Sequence, residues 1–263
     1  MKFSKNIFGE KFVKNNKNKI DIIINGNKNN LVHKYKLKKG ENKITLIIKQ
    51  KLTNLSYMFN CCYSLKNIDG LKFLNTSDVT DFSYMFNMFN KSYGECFGKK
   101  EKSKLIDINS LKYWNVSNCI NFDSMFRDCK LLSDIKALEN WDVSNSKNFS
   151  NMFCSCGLLS DIKPLENWNV SKGENFSYMF IWCDSLYDLY PLRNWNVSNG
   201  RDFYNMFFYC ELLVDIKPLK NWDLSNAVKF EGIFGKCHPS IDLDPILKCF
   251  GDKIVKKEIL LEE

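Results

Sequence analysis

The fold is decided by a unit of 27 residues, and residues 149–170 of one copy read FSNMFCSCGLLSDIKPLENWNV. The Met-Phe pair of this unit, or a close variant, recurs at steps of 27, 40, 27, 27, 27 and 27 residues, where the long step is 27 plus an insertion of 13. The pair begins at Met58, Met85, Met125, Met152, Met179, Met206 and Ile233. A fixed period of this length predicts a repeat protein, whose units bury their apolar faces by stacking on one another.

Other apolar positions keep the same register. A phenylalanine or leucine precedes each pair by three residues, and a cysteine follows the first residue of the pair by four in six of the seven units. Those cysteines are Cys62, Cys129, Cys156, Cys183, Cys210 and Cys237. A tryptophan follows by sixteen at Trp141, Trp168, Trp195 and Trp222, with Trp114 realigned past the insertion. We therefore predict one continuous apolar spine through consecutive units.

Within one unit, the spacing predicts a short helix followed by an extended segment. The apolar residues at i, i+3, i+4 and i+7 share one helix face, and they are Phe149, Met152, Phe153 and Cys156. We expect Gly157 to end this helix in the left-handed conformation. Apolar residues then recur every third position over 159–165, which favours an extended segment, and the proline at 164 limits its hydrogen bonding.

The string Asn-Phe-Ser-Tyr-Met-Phe-x-x-Cys-x-Ser-Leu at 175–186, followed by Leu-x-Asn-Trp-Asn-Val-Ser-Asn at 192–199, resembles the BspA-like leucine-rich-repeat family, the bacterial surface protein 26-residue repeat. The resemblance covers about residues 52–240. It implies an α/β, leucine-rich-repeat-like solenoid of about seven 27-residue units, used for adhesion or protein binding, without catalytic residues. Two features differ from the family: the period is 27, and no export signal is visible, although many members are secreted or surface-anchored.

The two ends of the chain lack the repeat. Residues 1–51 predict three strands, within 20–27, 31–37 and 43–48, after a short helix around 5–15. Since the ends of a stack expose apolar faces, we interpret 1–51 as a β-rich N-terminal cap, with a separate binding module as the alternative. Residues 241–263, with a helix starting at Asp244 and Pro245, are interpreted as a helical C-terminal cap. The repeats then span 52–240, with the insertion at about 88–104.

The net charge of +8 is unevenly distributed. Residues 1–51 contain 14 lysines against three acidic residues, so they carry +11 and the remainder carries −3. This asymmetry is typical of a contact with nucleic acid or an anionic surface. The alternative is a lysine-rich composition without functional meaning, which we favour because the lysines are scattered rather than clustered.

Few features of this sequence indicate catalysis. The two histidines, His33 and His238, lie in opposite end segments, and neither a phosphate-binding loop nor a dinucleotide motif occurs. We expect no enzyme, no cofactor and no metal site, with the cysteine column acting as small buried residues. A row of aspartates favours a solvated edge or bonds to the backbone, with calcium binding as the alternative; its members are Asp134, Asp161, Asp188 and Asp215.

The cysteine count is odd, at eleven, and no signal peptide or apolar stretch of about 18 residues is visible. We therefore expect reduced thiols in a cytoplasmic or otherwise intracellular protein, without a transmembrane segment. Exposure at a cell surface remains the expectation that the family resemblance adds.

Binding in a repeat protein is expected where one unit departs from its siblings. The position three after each Met is Asp128 and Ser155 in two units but Trp182 and Tyr209 in the next two. Similar changes to apolar or aromatic side chains predict a protein-binding surface made of Ile181, Trp182, Tyr187, Tyr190, Phe208 and Tyr209. The alternative is that another segment covers these residues. The sequence favours a protein-binding scaffold, with a surface adhesin or an anionic-surface binder as alternatives.

Overall fold

The computed structural model of the chain describes residues 3–89 and 103–249. The N-terminal segment, residues 3–48, contains one helix and five strands in the order β1 Phe3–Asn6, α1 Glu10–Asn16, β2 Ile20–Ile24, β3 Asn27–Asn30, β4 Lys34–Leu37 and β5 Ile44–Ile48. Strands β1 and β4 form one antiparallel pair, and β3, β2 and β5 form an antiparallel sheet with β2 in the centre. The isoleucines at 20, 22 and 24 are buried on one face of β2, since side chains alternate along a strand.

The predicted strands of this segment are confirmed as β2, β4 and β5, and α1 overlaps the predicted helix. The polar strand β3 was not predicted. It pairs with β2 because Asn25 and Gly26, at φ 50° and 88°, make a tight turn between them. Asn-Gly is the sequence that such two-residue hairpin turns favour.

The N-terminal segment packs directly on the first repeat. The ring of Phe8 lies 5.7 Å from that of Phe59, and the Gly9 amide donates to the Met58 carbonyl at 2.9 Å. Gly9 approaches the repeat so closely that a Cβ atom there would overlap the Tyr57 carbonyl oxygen. Glycine is therefore required at this junction.

The repeats stand in parallel register, one beside the next. Single parallel bridges join equivalent residues of consecutive repeats, and these residues are Asn54, Asp81, Asn121, Asn148, Asn175, Asp202 and Lys229. The chain is therefore a repeat protein in which each unit pairs with the unit before it and the unit after it.

Backbone pairing alternates along each repeat. The amides of Phe149 and Phe153 donate to carbonyls of the following repeat, at 2.9 and 3.0 Å. The amides of Met152 and Cys156 instead donate to carbonyls three residues earlier in their own repeat, at 3.2 and 3.0 Å. Half of the backbone amides that would donate hydrogen bonds within a helix therefore donate to the neighbouring repeat instead.

The predicted helix in each repeat is wrong, although its predicted face is right. Phe149, Met152, Phe153 and Cys156 are all fully buried, but the backbone turns at Asn151, φ 54°, and again four residues later at φ 59°. Across residues 52–89 and 103–243 the described repeats contain no α-helix. Gly157, predicted to be left-handed, is not among the residues with positive φ.

The predicted apolar spine is confirmed by continuous columns of stacked rings. Phe153 and Phe180 stack at 5.6 Å between centroids and 12° between planes, and Trp168 stacks on Trp141 at 6.4 Å and 5°. The column crosses the insertion unbroken, because Phe82 and Phe122, 40 residues apart, stack at 5.9 Å and 7°. Stacking of aligned faces in this way buries surface that a single unit leaves exposed.

The segment that follows the turns has neither helix nor strand and then closes in a short 3₁₀ turn. These turns span Asp69–Phe73, Asn109–Tyr113, Lys136–Leu138, Lys163–Leu165, Tyr190–Leu192 and Lys217–Leu219. In the last three a proline occupies the start of the turn, where its missing amide costs nothing. The predicted extended segment is therefore wrong at its end, because residues 163–165 form the 3₁₀ turn and Ile162 before them has φ −108° and ψ 16°.

At the far end, a short helix α2 spans Asp244–Leu247. The rest of the predicted C-terminal helix, including the apolar residues at 250, 254 and 255, lies outside the described residues, as does most of the insertion. No helix within 3–89 and 103–249 is both long and apolar enough to cross a membrane.

Candidate protein-binding surface

The tryptophan and cysteine columns carry hydrogen-bond donors that the sequence did not predict. Trp168 donates its Nε1–H to the Leu138 carbonyl at 3.0 Å, and Cys156 donates its S–H to the Phe126 carbonyl at 3.2 Å. Both acceptors lie 30 residues earlier and also accept a backbone amide of their own repeat, from Trp141 at 3.1 Å and from Cys129 at 3.0 Å. Each column therefore adds a second hydrogen bond to a carbonyl of the preceding repeat. The predicted burial of the cysteines is confirmed for five of the six, with Cys237 partly buried.

The thiols of this column are held in their neutral form. Burial among phenylalanine rings raises the pKa of the Cys156 thiol well above its usual value, and it raises the pKa of Cys237 to about 12. None of the ten cysteines within the described residues forms a disulfide. Because the thiolate is the reactive species, these side chains serve packing rather than chemistry.

The row of aspartates bonds the backbone. Asp161 accepts the Lys163 amide on Oδ1 at 2.8 Å, and Asp188 accepts the Tyr190 amide at 2.7 Å. These bonds start the 3₁₀ turns within each repeat, rather than joining neighbouring repeats. Of the two alternatives, the structure therefore favours the structural role over calcium binding.

One row of equivalent positions, which we call the outer row, has a left-handed backbone in almost every repeat. Its members have φ between 56° and 60° and are Cys61, Asp128, Ser155, Trp182, Tyr209 and Lys236. The small side chains at 128 and 155 are buried, whereas Trp182 is partly exposed and Tyr209 is 37% exposed. Trp182 and Tyr209 lie side by side, with ring centroids 6.5 Å apart and planes tilted by 35°.

Large aromatic residues are unfavourable at such backbone angles. A left-handed conformation costs a residue with a Cβ roughly 1–2 kcal/mol, and glycine or asparagine avoids most of that cost. The conformation itself belongs to the fold, because every member of the outer row shares it. In the two repeats that follow Asp128 and Ser155, this left-handed position is occupied by tryptophan and tyrosine.

Trp182 differs from the other five tryptophans of the chain, each of which is at most 5% exposed. Phe208 is partly exposed and packs edge-on against Tyr209, with centroids 5.0 Å apart. The structure thus brings together an aromatic cluster, which we define as Trp182, Phe208 and Tyr209. Ile181, predicted to belong to the surface, is only 5% exposed and packs inward.

Two further predicted tyrosines lie on the next segment of the same repeat. Tyr187 and Tyr190 are 59% and 57% exposed. The guanidinium of Arg193 covers one face of the Tyr190 ring at 3.9 Å and pairs with Glu166 at 2.7 Å. Tyr187 therefore offers the freer ring of the two.

The sequence reasoning missed two carboxylates beside the cluster. Asp184 and Glu211 follow Trp182 and Tyr209 by two residues, and both are exposed. Partial burial raises the pKa of Asp184, and repulsion from Glu211 raises it further, against a smaller opposing effect of Lys130. The signal was present in the register, since Lys130 and Gly157 occupy this position in the two preceding repeats.

The lysines of the N-terminal segment are dispersed over its surface. Asp21 pairs with Lys49 at 2.9 Å and with Lys28 at 3.4 Å. Lys34 and Lys36 are exposed on β4, at the edge of the two-stranded sheet. The segment is basic as a whole, with part of its charge compensated locally.

Comparison with known proteins gives a match to one family model. The model of the family described as Mycoplasma protein of unknown function, DUF285, matches residues 29–135, 91–210 and 132–242. No curated protein and no solved structure matches the chain. The threefold match agrees with the repeats seen in the structure.

Proposed function

We propose, for a chain that belongs to the DUF285 family of Mycoplasma proteins of unknown function, a non-enzymatic scaffold that binds another protein through the aromatic cluster. We also propose that its repeats form a leucine-rich-repeat-like solenoid of about seven units. The parallel bridges between repeats and the resemblance of each unit to the BspA-like repeat support this architecture.

One observation carries the binding proposal. Two consecutive repeats place Trp182 and Tyr209 at left-handed positions where other repeats have Asp128 and Ser155. The left-handed backbone does not call for an aromatic side chain, and both rings remain accessible to a partner. Tryptophan and tyrosine are also the residues most enriched at the centres of protein interfaces.

The interior supports the same assignment by elimination. Five tryptophans and the phenylalanine columns stack on copies of themselves in adjacent repeats, and these rings are buried. The aromatic cluster stands outside those columns. A protein partner gains apolar contact area from such rings while their polar edges remain hydrated.

The test is capture of a partner by the full chain from a cell lysate. We expect the double variant Trp182→Asn/Tyr209→Asn to capture at least tenfold less of the partner than the wild type does, because both aromatic rings are removed. Asparagine is chosen over alanine because it accepts the left-handed backbone. Circular dichroism spectra identical to those of the wild type would establish that the fold is retained.

A matched control is Lys236→Asn, which changes an exposed member of the outer row in another repeat. It should capture the partner as well as the wild type does. If the folded double variant still captures the same partner at wild-type levels, the proposal is wrong. Fractionation of cells decides between an intracellular scaffold and a surface adhesin, since both would use this surface.

A second candidate function rests on the charge of residues 1–51, where 14 lysines face three acidic residues. Such a segment would bind nucleic acid or an anionic surface with an affinity that falls steeply with salt. Binding of duplex DNA and of anionic vesicles, measured at 50 and 200 mM salt, tests it. Binding that is absent at low salt, or unchanged at high salt, would remove this candidate.

A further inference from the structure

We propose that the aromatic cluster recognises a lysine- or arginine-bearing segment of the partner protein, with its cation held between the rings of Trp182 and Tyr209 and the carboxylates of Asp184 and Glu211. This inference rests on the proposed function and adds the chemistry of the partner. It is argued from the placement of the four side chains, the lack of a paired cation among the described residues, and the fit of a basic side chain to both features.

The rings and the carboxylates occur in the same two repeats. Trp182 and Asp184 flank the buried Cys183, and Tyr209 and Glu211 flank Cys210 in the same way. The ring and the carboxylate of each pair are therefore two residues apart, on either side of a buried residue. No other described repeat combines an aromatic residue in the outer row with a carboxylate two positions later, as residues 61, 128, 155 and 236 and their followers indicate.

The two carboxylates lie in consecutive repeats and repel one another. Asp184 reaches back over the preceding repeat, where a Cβ added to Gly157 would lie 3.3 Å from its Oδ2 atom. Glu211 is near enough for its charge to raise the pKa of Asp184. Two carboxylates that repel one another favour any ligand that brings positive charge between them.

The described residues do not pair either carboxylate with a cation. Among residues 3–89 and 103–249, the ion pairs engage acids such as Asp128, Glu166 and Asp202, whereas neither Asp184 nor Glu211 has a lysine or arginine within 4.0 Å. The cation with the clearest effect on Asp184 is Lys130, two repeats away, and it pairs with Asp128 at 3.6 Å. A partner cation would therefore complete the site without displacing an existing ion pair.

A basic side chain fits both features at once. Its alkyl stem packs on aromatic surface, its charge is attracted to the ring faces, and its N–H groups donate to carboxylates. An acidic segment would be repelled, and a purely apolar segment would leave the carboxylates desolvated without partners. The chemistry of the surface thus selects positive charge.

The first experiment uses the full chain and two synthetic ten-residue peptides, one alternating lysine with serine and one alternating glutamate with serine. Fluorescence of the chain reports the site, because Trp182 is the one tryptophan of six that is not buried. The lysine peptide should change the emission saturably, and the glutamate peptide should leave it unchanged. Equal responses to both peptides, or no response to the lysine peptide, would overturn the inference.

The second experiment separates this site from attraction of the peptide to exposed carboxylates elsewhere on the chain. Fluorescence anisotropy of the labelled lysine peptide is measured with Asp184→Asn/Glu211→Gln and with Glu41→Gln/Glu139→Gln, which removes the same two charges at exposed positions elsewhere. We expect affinity to fall at least tenfold for the first variant and less than twofold for the second. Equal losses in the two variants contradict the site.

The outcomes distinguish this inference from the proposed function. If Trp182→Asn/Tyr209→Asn abolishes capture of the lysate partner while Asp184→Asn/Glu211→Gln leaves it intact, the binding surface stands and its preference for positive charge is wrong. If neither variant affects capture, both proposals are wrong.

Discussion

The N-terminal segment and the repeats satisfy their backbones in different ways. In the N-terminal segment, neighbouring antiparallel strands pair residue by residue, as Ile22 does with Leu46. In the repeats, alternate amides donate to the next unit and the others donate locally, as at Phe153 and Cys156. A strand pair can therefore form within a short stretch of chain, whereas a repeat needs its neighbour.

The difference determines how far damage spreads. An interior side chain of a repeat packs between its counterparts 27 residues before and after it, so its loss weakens two interfaces. A buried isoleucine of β2 stabilises one small sheet. Changes inside the repeats should therefore cost more stability than changes at the edge of the stack or on its surface.

Alkaline pH should unfold the repeats. The thiols are buried in neutral form with raised pKa values, so the stability they contribute is complete below about pH 9 and is lost as pH rises toward their folded pKa, about 12 for Cys237. Each thiol loses about 1.4 kcal/mol per pH unit in this window, since the unfolded chain releases the proton and the folded chain keeps it. Urea unfolding at pH 7 and 10.5, followed by tryptophan fluorescence, measures the loss.

The control for this experiment is Cys156→Ser. The hydroxyl keeps a donor for the Phe126 carbonyl but does not titrate. The variant should lose about 2 kcal/mol less than the wild type between the two pH values, which is one thiol over 1.5 pH units. Equal losses would contradict the role of this thiol.

Truncation of an interior ring should rank second. We expect Phe153→Ala to lower the free energy of unfolding by about 3–5 kcal/mol, because it removes a fully buried ring and leaves a cavity. The comparison is Phe73→Ala, at a ring that is 81% exposed, which should change stability by less than about 0.5 kcal/mol. Urea titration of both variants provides the values, and similar losses would contradict the stacked interior.

The junction between the two regions should be sensitive to a single methyl group. We expect Gly9→Ala to cost about 1–3 kcal/mol, since the new Cβ overlaps the Tyr57 carbonyl and forces the N-terminal segment away from the first repeat. Trypsin should then cleave the lysine-rich segment faster. Gly70→Ala, where an added Cβ meets nothing within 4 Å, is the control that should behave as the wild type does.

The smallest effect concerns the outer row, where the order of two substitutions is diagnostic. Trp182→Gly should be more stable than Trp182→Ala by about 1 kcal/mol, because glycine accepts φ 56° without strain. In most positions alanine is the more stable of the two. Melting temperatures of the two variants decide the order, and the reverse order would contradict the left-handed backbone at this residue.

The sequence was sufficient to predict which residues face inward. Phe149, Met152, Phe153 and Cys156 are buried as their register requires. The helix was wrong because two tight turns, each with a left-handed residue, place the same side chains inward at the same spacing. Left-handed positions are usually marked by glycine or asparagine, and here serine, tyrosine and tryptophan fill many of them, so no local signal distinguished the two backbones.

The candidate surface was predictable in part. The register alone showed that Trp182 and Tyr209 differ from the equivalent residues of other repeats, but it did not show that Ile181 is buried. Adjacent residues of a turn point in different directions, and that depends on the backbone. Asp184 and Glu211 were not predicted, because an acidic side chain indicates a binding site only when the positions of the neighbouring aromatic rings are known.

The stacking of Phe82 on Phe122 across a 40-residue step has a practical consequence. The distance between these ring centroids matches the 6.0 Å between Phe122 and Phe149, which are 27 residues apart. Stacking therefore depends on the alignment of neighbouring repeats and not on the length of chain that connects them. New sequence can therefore enter the chain between residues 89 and 103 without shifting the frame. A fluorescent tag or an additional module placed there would leave both halves of the stack joined.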